Sequence, residues 1–545
     1  MTDSNQEKLQ FSTKLAYGAG DLGPAITANI LVFYLLFFFT NVAGLPAAMA
    51  GSILTIGRIA DAINDPIIGM LSDRTKSRWG RRIPWMMAGA IPFGCLYFFQ
   101  WLVPHFSQNR GVNTWLLFAY YVVIGIFFNI AYTIVNLPYT ALTPELTKDY
   151  NERTHLNSFR FTFSIGGSII SLALAGLIFS TYRQAPTQQF LVLGLTCGII
   201  AVIAILWCSL RIQERGSLPF LNQLQKRRLG FFAIAISFSG IIWGSRRLFR
   251  LSNPMDFVSI FCIFLSLLIF GFSWTMLSAK PEPHLVDDLA IESKNQVESS
   301  AQLSLKEQLK IVFSNRPFLY VIGIYLCSWL AVQLTASILI YFVVSWMKLP
   351  EKSFPLVAIA VQGTALLLLF FWQFISDRLG KKAVYFLGMS VWIIAQIGLF
   401  FLQPGQVGWM FLLAILAGFG VSVAYLIPWS MVPDVIELDE LKTGKRREGI
   451  FYAFMVLLQK FGLALALFIV GIALEAAGFI PQVPGQSLPV QPANALLAIR
   501  LAIGPIPALA LIIGAILAYF YPITREFHAE IRLKLQERAK MKEIK

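Results

Sequence analysis

The sequence predicts an all-α, polytopic membrane protein, and three observations carry that expectation. Of its 545 residues, 57% are hydrophobic and only 13% charged, with a mean hydropathy of +0.66, which lies far outside soluble globular composition. Apolar runs of about twenty residues, long enough to cross a hydrocarbon core as helix, recur along most of the chain. The basic residues crowd into short loops between those runs. The formal net charge of +15 therefore reads as orientation in a lipid bilayer, and no nucleic-acid partner is expected.

The apolar runs fall near 14–42, 47–72, 85–104, 112–145, 157–181, 188–210, 229–245, 256–277, 317–347, 354–376, 383–403, 406–432, 449–478 and 495–521. Loops 72–84, 145–155, 376–382 and 439–449 are basic or mixed, and they alternate with loops such as "QPGQVG" that carry no charge. The basic set is expected on the cytoplasmic side of the cell (inner) membrane, which puts both termini inside. Runs 229–245 and 256–277 are harder to place, because "SRRLFRLS" between them would put Arg246, Arg247 and Arg250 outside. A re-entrant or interfacial pair is the alternative; two further spans are favoured, since an even number preserves the orientation of everything after them. Segment 278–316 reads as a linker with an amphipathic piece near "LSLKEQLKIVF". The expected divisions are 1–213, 214–316, 317–522 and a cytoplasmic tail at 523–545.

Two halves of similar apolar content share a repeat. Ser72-Asp73-Arg74, followed by Arg78, Gly80, Arg81 and Arg82, matches Ser376-Asp377-Arg378, followed by Gly380, Lys381 and Lys382. Each stretch follows the second helix of its half, as in transporters built from parallel repeats. These charges are expected to latch neighbouring helices on the inner face, as a cytoplasmic gate motif.

Charges inside the spans carry the functional argument. A charge at a helix centre costs roughly 2.5–3.5 kcal/mol on insertion scales and defaults to a functional role. In "GRIADAINDPIIG", Arg58, Asp61 and Asp65 stand at i, i+3 and i+7, on one helix face. Two carboxylates against one guanidinium leave a negative charge, which a bare cation or a proton would balance. Asn64 adds a neutral oxygen, and Pro66 frees a carbonyl one turn back. An all-oxygen set suits a hard ion, making Asp61 and Asp65 a Na⁺ candidate. Asp21, Arg160 and Lys460 are further charges at depth, and Thr133, Asn136, Tyr139 and Thr140 put polar groups in the fourth run. Lys460 comes from the other half of the chain and is expected to balance charge or sense closure. Trp329, Trp346, Tyr425 and Trp429 suit either a sugar ring or interfacial anchoring.

Other classes find little support. The five cysteines lie in apolar runs without CxxC spacing, and there is no HExxH, GxSxG or Walker A motif, so no catalytic constellation, resident cofactor or ATPase is expected.

The stretches "YGAGDLGPA", "GRIADAINDPIIGMLSDRTKSRWGRRIPW", "NLPYTALTPELT", "SFRF" and "PDVIELDELKTGKRREGIFYAF...QKFG" resemble the glycoside–pentoside–hexuronide:cation symporters of the major facilitator superfamily, the melibiose-permease-like group. The likeness covers nearly all of the chain except about 215–300. It implies the major facilitator fold, two six-helix bundles, here with a two-helix insert between them, rocking about a central site. It also implies a cation held by Asp61 and Asp65 with Asn64 and Thr133 nearby, and substrate hydroxyls held by Asp21 and Arg160. Lys460 matches the family's lysine on the eleventh helix of that fold. Asn136 and Thr140 stand where that permease has a sugar-binding aspartate and a stacking tryptophan, and Gly20 where it has a lysine. The expected function is symport of Na⁺ or H⁺ with a sugar or glycoside, by a monomer. A lysophospholipid or amphiphile symporter, and a non-transporting sensor or assembly factor, are the alternatives.

Overall fold

The computed structural model describes residues 9–147, 150–182, 185–214, 217–251, 256–279, 305–444, 448–481 and 489–543. Most of the expected linker falls on 280–304, outside the described residues. Among the described residues every regular element is helical. The first set is α1 (Phe11–Asn41), α2 (Ala47–Arg74), α3 (Ile83–Phe99), α4 (Arg110–Thr140), a short α5 (Thr143–Leu146), α6 (Tyr150–Thr181), α7 (Pro186–Arg211), α8 (Gln223–Leu251) and α9 (Phe257–Leu277). The second is α10 (Leu305–Ser314), α11 (Arg316–Tyr341), α12 (Phe354–Leu379), α13 (Lys381–Phe401), α14 (Val407–Thr443), α15 (Glu448–Ala476), α16 (Ala493–Ile503), α17 (Pro505–Phe520) and α18 (Arg525–Glu543). Twelve spans among the described residues are long and apolar enough to cross a membrane. The charged α2 and the 17-residue α3 complete the correspondence with the fourteen apolar runs. The last run is broken in two at Gly504, just before Pro505, which cannot donate to the helix ladder.

Helices α1–α9, apart from the start of α2, form one compact unit; the start of α2 (Pro46–Thr55) groups with α10–α18 in the second. In the first unit α1 is the central helix, packed along α6 and α7. Its "GAGDLG" run explains how. A Cβ on Gly20 would lie 2.4 Å from the Tyr139 ring, and one on Gly23 would lie 2.9 Å from the Ala201 backbone. Only glycine admits such an approach, and it buries Asp21 between them, 7% exposed.

Helices α8 and α9 both qualify as spans and pack along each other, with Ser237 Oγ donating to the Ser266 carbonyl at 2.9 Å. They fasten to the unit through α7. Trp207 Nε1 donates to Thr275 Oγ1 and Arg211 Nε to the Thr275 carbonyl, each at 2.9 Å. The basic turn between them has a local counter-charge: Arg247 pairs with Asp256 at 3.2 Å. Asp256 also caps α9 by accepting from the Ser259 amide at 3.0 Å, a contact worth about 1 kcal/mol. The Ser259 hydroxyl and this amide, with Arg247, hold the Asp256 carboxyl below its ordinary range.

The second unit is built around α11, which packs on α14, α15 and α17. Tyr325, Tyr385 and Trp392 lie fully buried in its core, where Ser328 Oγ and the Tyr385 hydroxyl share a 2.7 Å hydrogen bond.

Candidate functional site

Helix α2 has 28 residues and is about 42 Å long at 1.5 Å per residue. Asp61 is the fifteenth, so it sits near mid-length and is wholly buried. Asp65, one turn on, is half-buried. Between them stands Thr133 of α4, whose Oγ1 lies 3.0 Å from Asp61 Oδ1 and 2.9 Å from Asp65 Oδ1. A threonine hydroxyl carries one proton. It can donate to one of these oxygens at a time; the other contact then brings two electron-rich oxygens together and calls for a proton or a cation. Arg58 reaches Asp61 Oδ2 at 3.8 Å, the edge of pairing distance. Asn64 makes no hydrogen bond to this group among the described residues. One turn before Thr133, Asn129 packs against Gly57, where a Cβ would lie 3.0 Å from its amide nitrogen. Asn129 is a neighbour that the sequence reading missed.

The second charged pair is Asp21 of α1 with Arg160 of α6, at a loose 3.5 Å. Aromatic groups surround it. The Arg160 guanidinium lies 5.7 Å from the Tyr139 ring centre, and Tyr139 stacks on Tyr17 at 5.1 Å. The Tyr139 hydroxyl donates to the Tyr17 carbonyl at 2.8 Å, so the aromatic wall is itself fixed. Carboxylate and guanidinium can exchange a loose mutual contact for hydroxyls, one accepting and the other donating. Asn136 is half-buried and makes no hydrogen bond among the described residues. The Thr140 hydroxyl is turned to its own helix, donating to the Leu137 carbonyl at 2.9 Å.

In the second unit Lys460 is half-buried on α15. The four aromatic residues considered in the sequence divide. Trp346 is anchored, its Nε1 donating to the Leu402 carbonyl at 2.9 Å beneath the Arg500 guanidinium. Trp329, Tyr425 and Trp429 instead form a chain of ring contacts through Tyr325, each 5.7–5.8 Å between centres.

The basic loop after α2 is tied to its own unit. Arg82 bonds to Asp73, to Ser72 Oγ at 2.7 Å and to Glu145 at 3.1 Å; Arg81 also reaches Glu145 at 3.1 Å. Arg78 lies over the Trp79 ring at 4.5 Å, and its carbonyl accepts from the Leu218 amide at 2.8 Å. Arg74 is exposed and unpaired among the described residues. The loop's fixed point is Glu214, a residue that the sequence reading did not single out. Its carboxylate accepts the amides of Arg81, Arg82 and Ile83, each at 2.7 Å. Gly80, at φ +103°, makes room for it, since a Cβ there would lie 2.3 Å from that carboxyl. Burial lifts the Glu214 carboxyl to about 7; nearby Glu145 adds to the rise and the three amides oppose it.

The matching loop of the second unit is held by Lys381. Its Nζ donates to Asp434 and to the Ser430 carbonyl at 2.6–2.7 Å. Arg378 lies 4.2 Å from the Phe374 ring centre. The Asp377 side chain is outside the described residues.

Comparison with known proteins now decides the family. The family model described as "MFS/sugar transport protein" matches residues 16–230 and 223–525. The chain belongs to this family. An uncharacterized symporter of Synechocystis sp. is 60% identical over 98% of this chain and 98% of its own length. The sodium-dependent lysophosphatidylcholine symporter 1 of Gallus gallus is 26% identical over 98% of this chain and 90% of its own length. The fold is similar to that of the xylose transporter XylE of E. coli, solved in a partially occluded inward-open conformation, with a TM-score of 0.55 at 13% identity over 95% of this chain and 98% of that one. The protein is therefore a multi-pass membrane transporter of the major facilitator superfamily and not an enzyme.

Proposed function

We propose that the protein is a cation-coupled symporter of the glycoside–pentoside–hexuronide branch, carrying Na⁺ or H⁺ together with a sugar or glycoside. The observation that carries this reading is the single Thr133 hydroxyl set within 3.0 Å of both Asp61 and Asp65. Three oxygens converging at mid-span suit a small hard cation or a shared proton. In this reading the cation neutralises the α2 carboxylates and draws α2 to α4. Substrate hydroxyls then bind Asp21 and Arg160 beside Tyr139, with Asn136 and Thr140 on the same helix. Arg58 and Lys460 balance the charge. The basic loops face the cytoplasm at the inner membrane, and Asp73, Arg74, Arg78, Gly80, Arg81, Asp377 and Arg378 belong to the gate there. Binding of the two solutes is reciprocal: substrate tightens the cation by the same factor as the cation tightens substrate.

A second reading, a lysolipid or amphiphile symporter, is favoured by the lysophosphatidylcholine symporters among the relatives. Uptake into proteoliposomes, with panels of sugars and lysolipids and with or without Na⁺ and proton gradients, separates the two. Gradient-driven accumulation of a sugar or glycoside is expected. Accumulation of lysolipid alone would replace the substrate class, and binding without flux would replace the symporter by a sensor.

A further inference from the structure

At the basic end of the second unit, the last turn of α10, the first turn of α11 and the last turn of α14 enclose a groove of about 590 Å³. Lys310, Arg316 and Lys442 line it, one from each helix. All three are exposed, and none makes an ion pair or hydrogen bond among the described residues. The groove's two acids differ. Asp439 is only 7% exposed, and both it and Glu307 are engaged in interactions of their own. The groove therefore presents three exposed cations against two acids that already have interaction partners. The positive end of the 26-residue α11 opens on the same space, with the Asn315 side chain accepting the Phe318 amide at 3.2 Å.

The neighbouring surface is apolar. Val312 on α10 is buried at 1%, whereas Phe313, the next residue, is 65% exposed. One face of this short helix thus grips the unit and another presents a phenyl ring beside the cations. An exposed ring next to basic groups at the end of a membrane span is the arrangement expected at the boundary between acyl chains and headgroups.

We propose that Lys310, Arg316 and Lys442 form a binding site for the phosphate headgroup of an anionic phospholipid in the leaflet at the basic end, with Phe313 against its acyl chains. That this leaflet is the cytoplasmic one rests on the orientation given above; the site itself does not depend on transport. Guanidinium and ammonium groups are the natural donors to a phosphodiester.

The test uses the full-length protein, delipidated in detergent and titrated with phosphatidylglycerol or phosphatidylcholine. Bound lipid is counted by native mass spectrometry. Wild type is expected to retain one more phosphatidylglycerol than the Lys310→Gln/Arg316→Gln/Lys442→Gln variant, with no difference for phosphatidylcholine. Arg316→Glu alone is expected to weaken that binding at least about fivefold, the effect of one charge near an anionic surface. The exposed positions leave the thermal midpoint in phosphatidylcholine unchanged, which shows that the variants are folded. Equal retention of phosphatidylglycerol by wild type and the triple variant would overturn the proposal. Parallel titrations with inorganic phosphate and glycerol 3-phosphate distinguish the source of the anion: displacement of the retained lipid by either at equal concentration would assign the groove to a soluble phosphate and overturn the lipid claim.

Discussion

The basic ends of the two units use one scheme with different parts. In each, a loop after the second helix of the repeat presents a basic side chain to an acid that lies beyond a proline break. Arg82 meets Glu145 after "LPYTALTP", and Lys381 meets Asp434 after "IPWSMVP". The third partner is where they part. The first unit takes Glu214, beyond α7, which receives three loop amides. The second takes His528 on α18, which lies 3.4 Å from Asp434 and 2.9 Å from Glu437. The first loop thus gives three successive amides to one carboxylate, whereas the second is held by the Lys381 side chain and by the Arg525 guanidinium on the Arg378 carbonyl, so the first should tolerate far less change.

Paired substitutions at the equivalent glycines test this most severely. Gly380 also has a positive φ, +83°, but the nearest atom to a Cβ there is 3.7 Å away. Gly80→Ala, which adds displacement of the Glu214 carboxyl to backbone strain, is expected to cost about 4 kcal/mol, against about 1–2 kcal/mol for Gly380→Ala. Thermal midpoints in detergent measure both, and equal losses would break the comparison.

The next effect is a pH dependence belonging to the first unit. The fold raises the Glu214 carboxyl from its ordinary 4.5 to about 7, so the folded state binds that proton more tightly than the unfolded chain. This stabilisation is complete below about pH 4.5 and is lost as pH rises through about 7, an amount on the order of 3 kcal/mol. The wild-type midpoint should fall between pH 5 and pH 8, and Glu214→Gln should flatten that slope. A slope unchanged in the variant would remove Glu214 as its source.

A smaller difference separates the two basic side chains. Arg82 uses three nitrogens on Ser72, Asp73 and Glu145, a fork that lysine cannot reproduce, so Arg82→Lys should cost about 2 kcal/mol. Lys381→Arg keeps the charge and a donor for Asp434 and should cost about 1 kcal/mol. A reversed order in thermal midpoints would show that the fork is not what matters.

The smallest effect is expected for His528→Ala. The ring is partly exposed, and α18 keeps its buried Ile531, so about 0.5 kcal/mol should be lost. Hydrogen exchange should quicken along α18; exchange there at the wild-type rate would remove His528 as its fastening.

Much of this was legible in the sequence because it is local. The apolar runs mark the helices, the i, i+3, i+7 spacing puts Arg58, Asp61 and Asp65 on one face, and the paired Ser-Asp-Arg stretches announce the repeat. The partners were not legible where they are distant in the chain. Glu214 stands 131–133 residues from the amides it receives, and nothing near it in sequence points to them. A signal for Glu145 and Asp434 was present in the "LPYTALTPE" and "IPWSMVPD" stretches, but one is a residue longer than the other, which hides their match. Thr133 was reached through family resemblance, since an isolated threonine in an apolar helix usually bonds its own backbone. The C-terminal end of α8 extends past the apolar run, and there Arg247 pairs with Asp256, a contact that hydropathy does not register.

The central claim is that Asp61 and Asp65 serve a visiting cation. Its most direct test is accumulation of the transported solute in proteoliposomes under an imposed Na⁺ or proton gradient, comparing wild type with Asp61→Asn. Wild type should concentrate the solute in response to one of the two gradients, while Asp61→Asn should at most equilibrate it. Accumulation by Asp61→Asn to the wild-type level, with the same dependence on the gradient, would contradict the account.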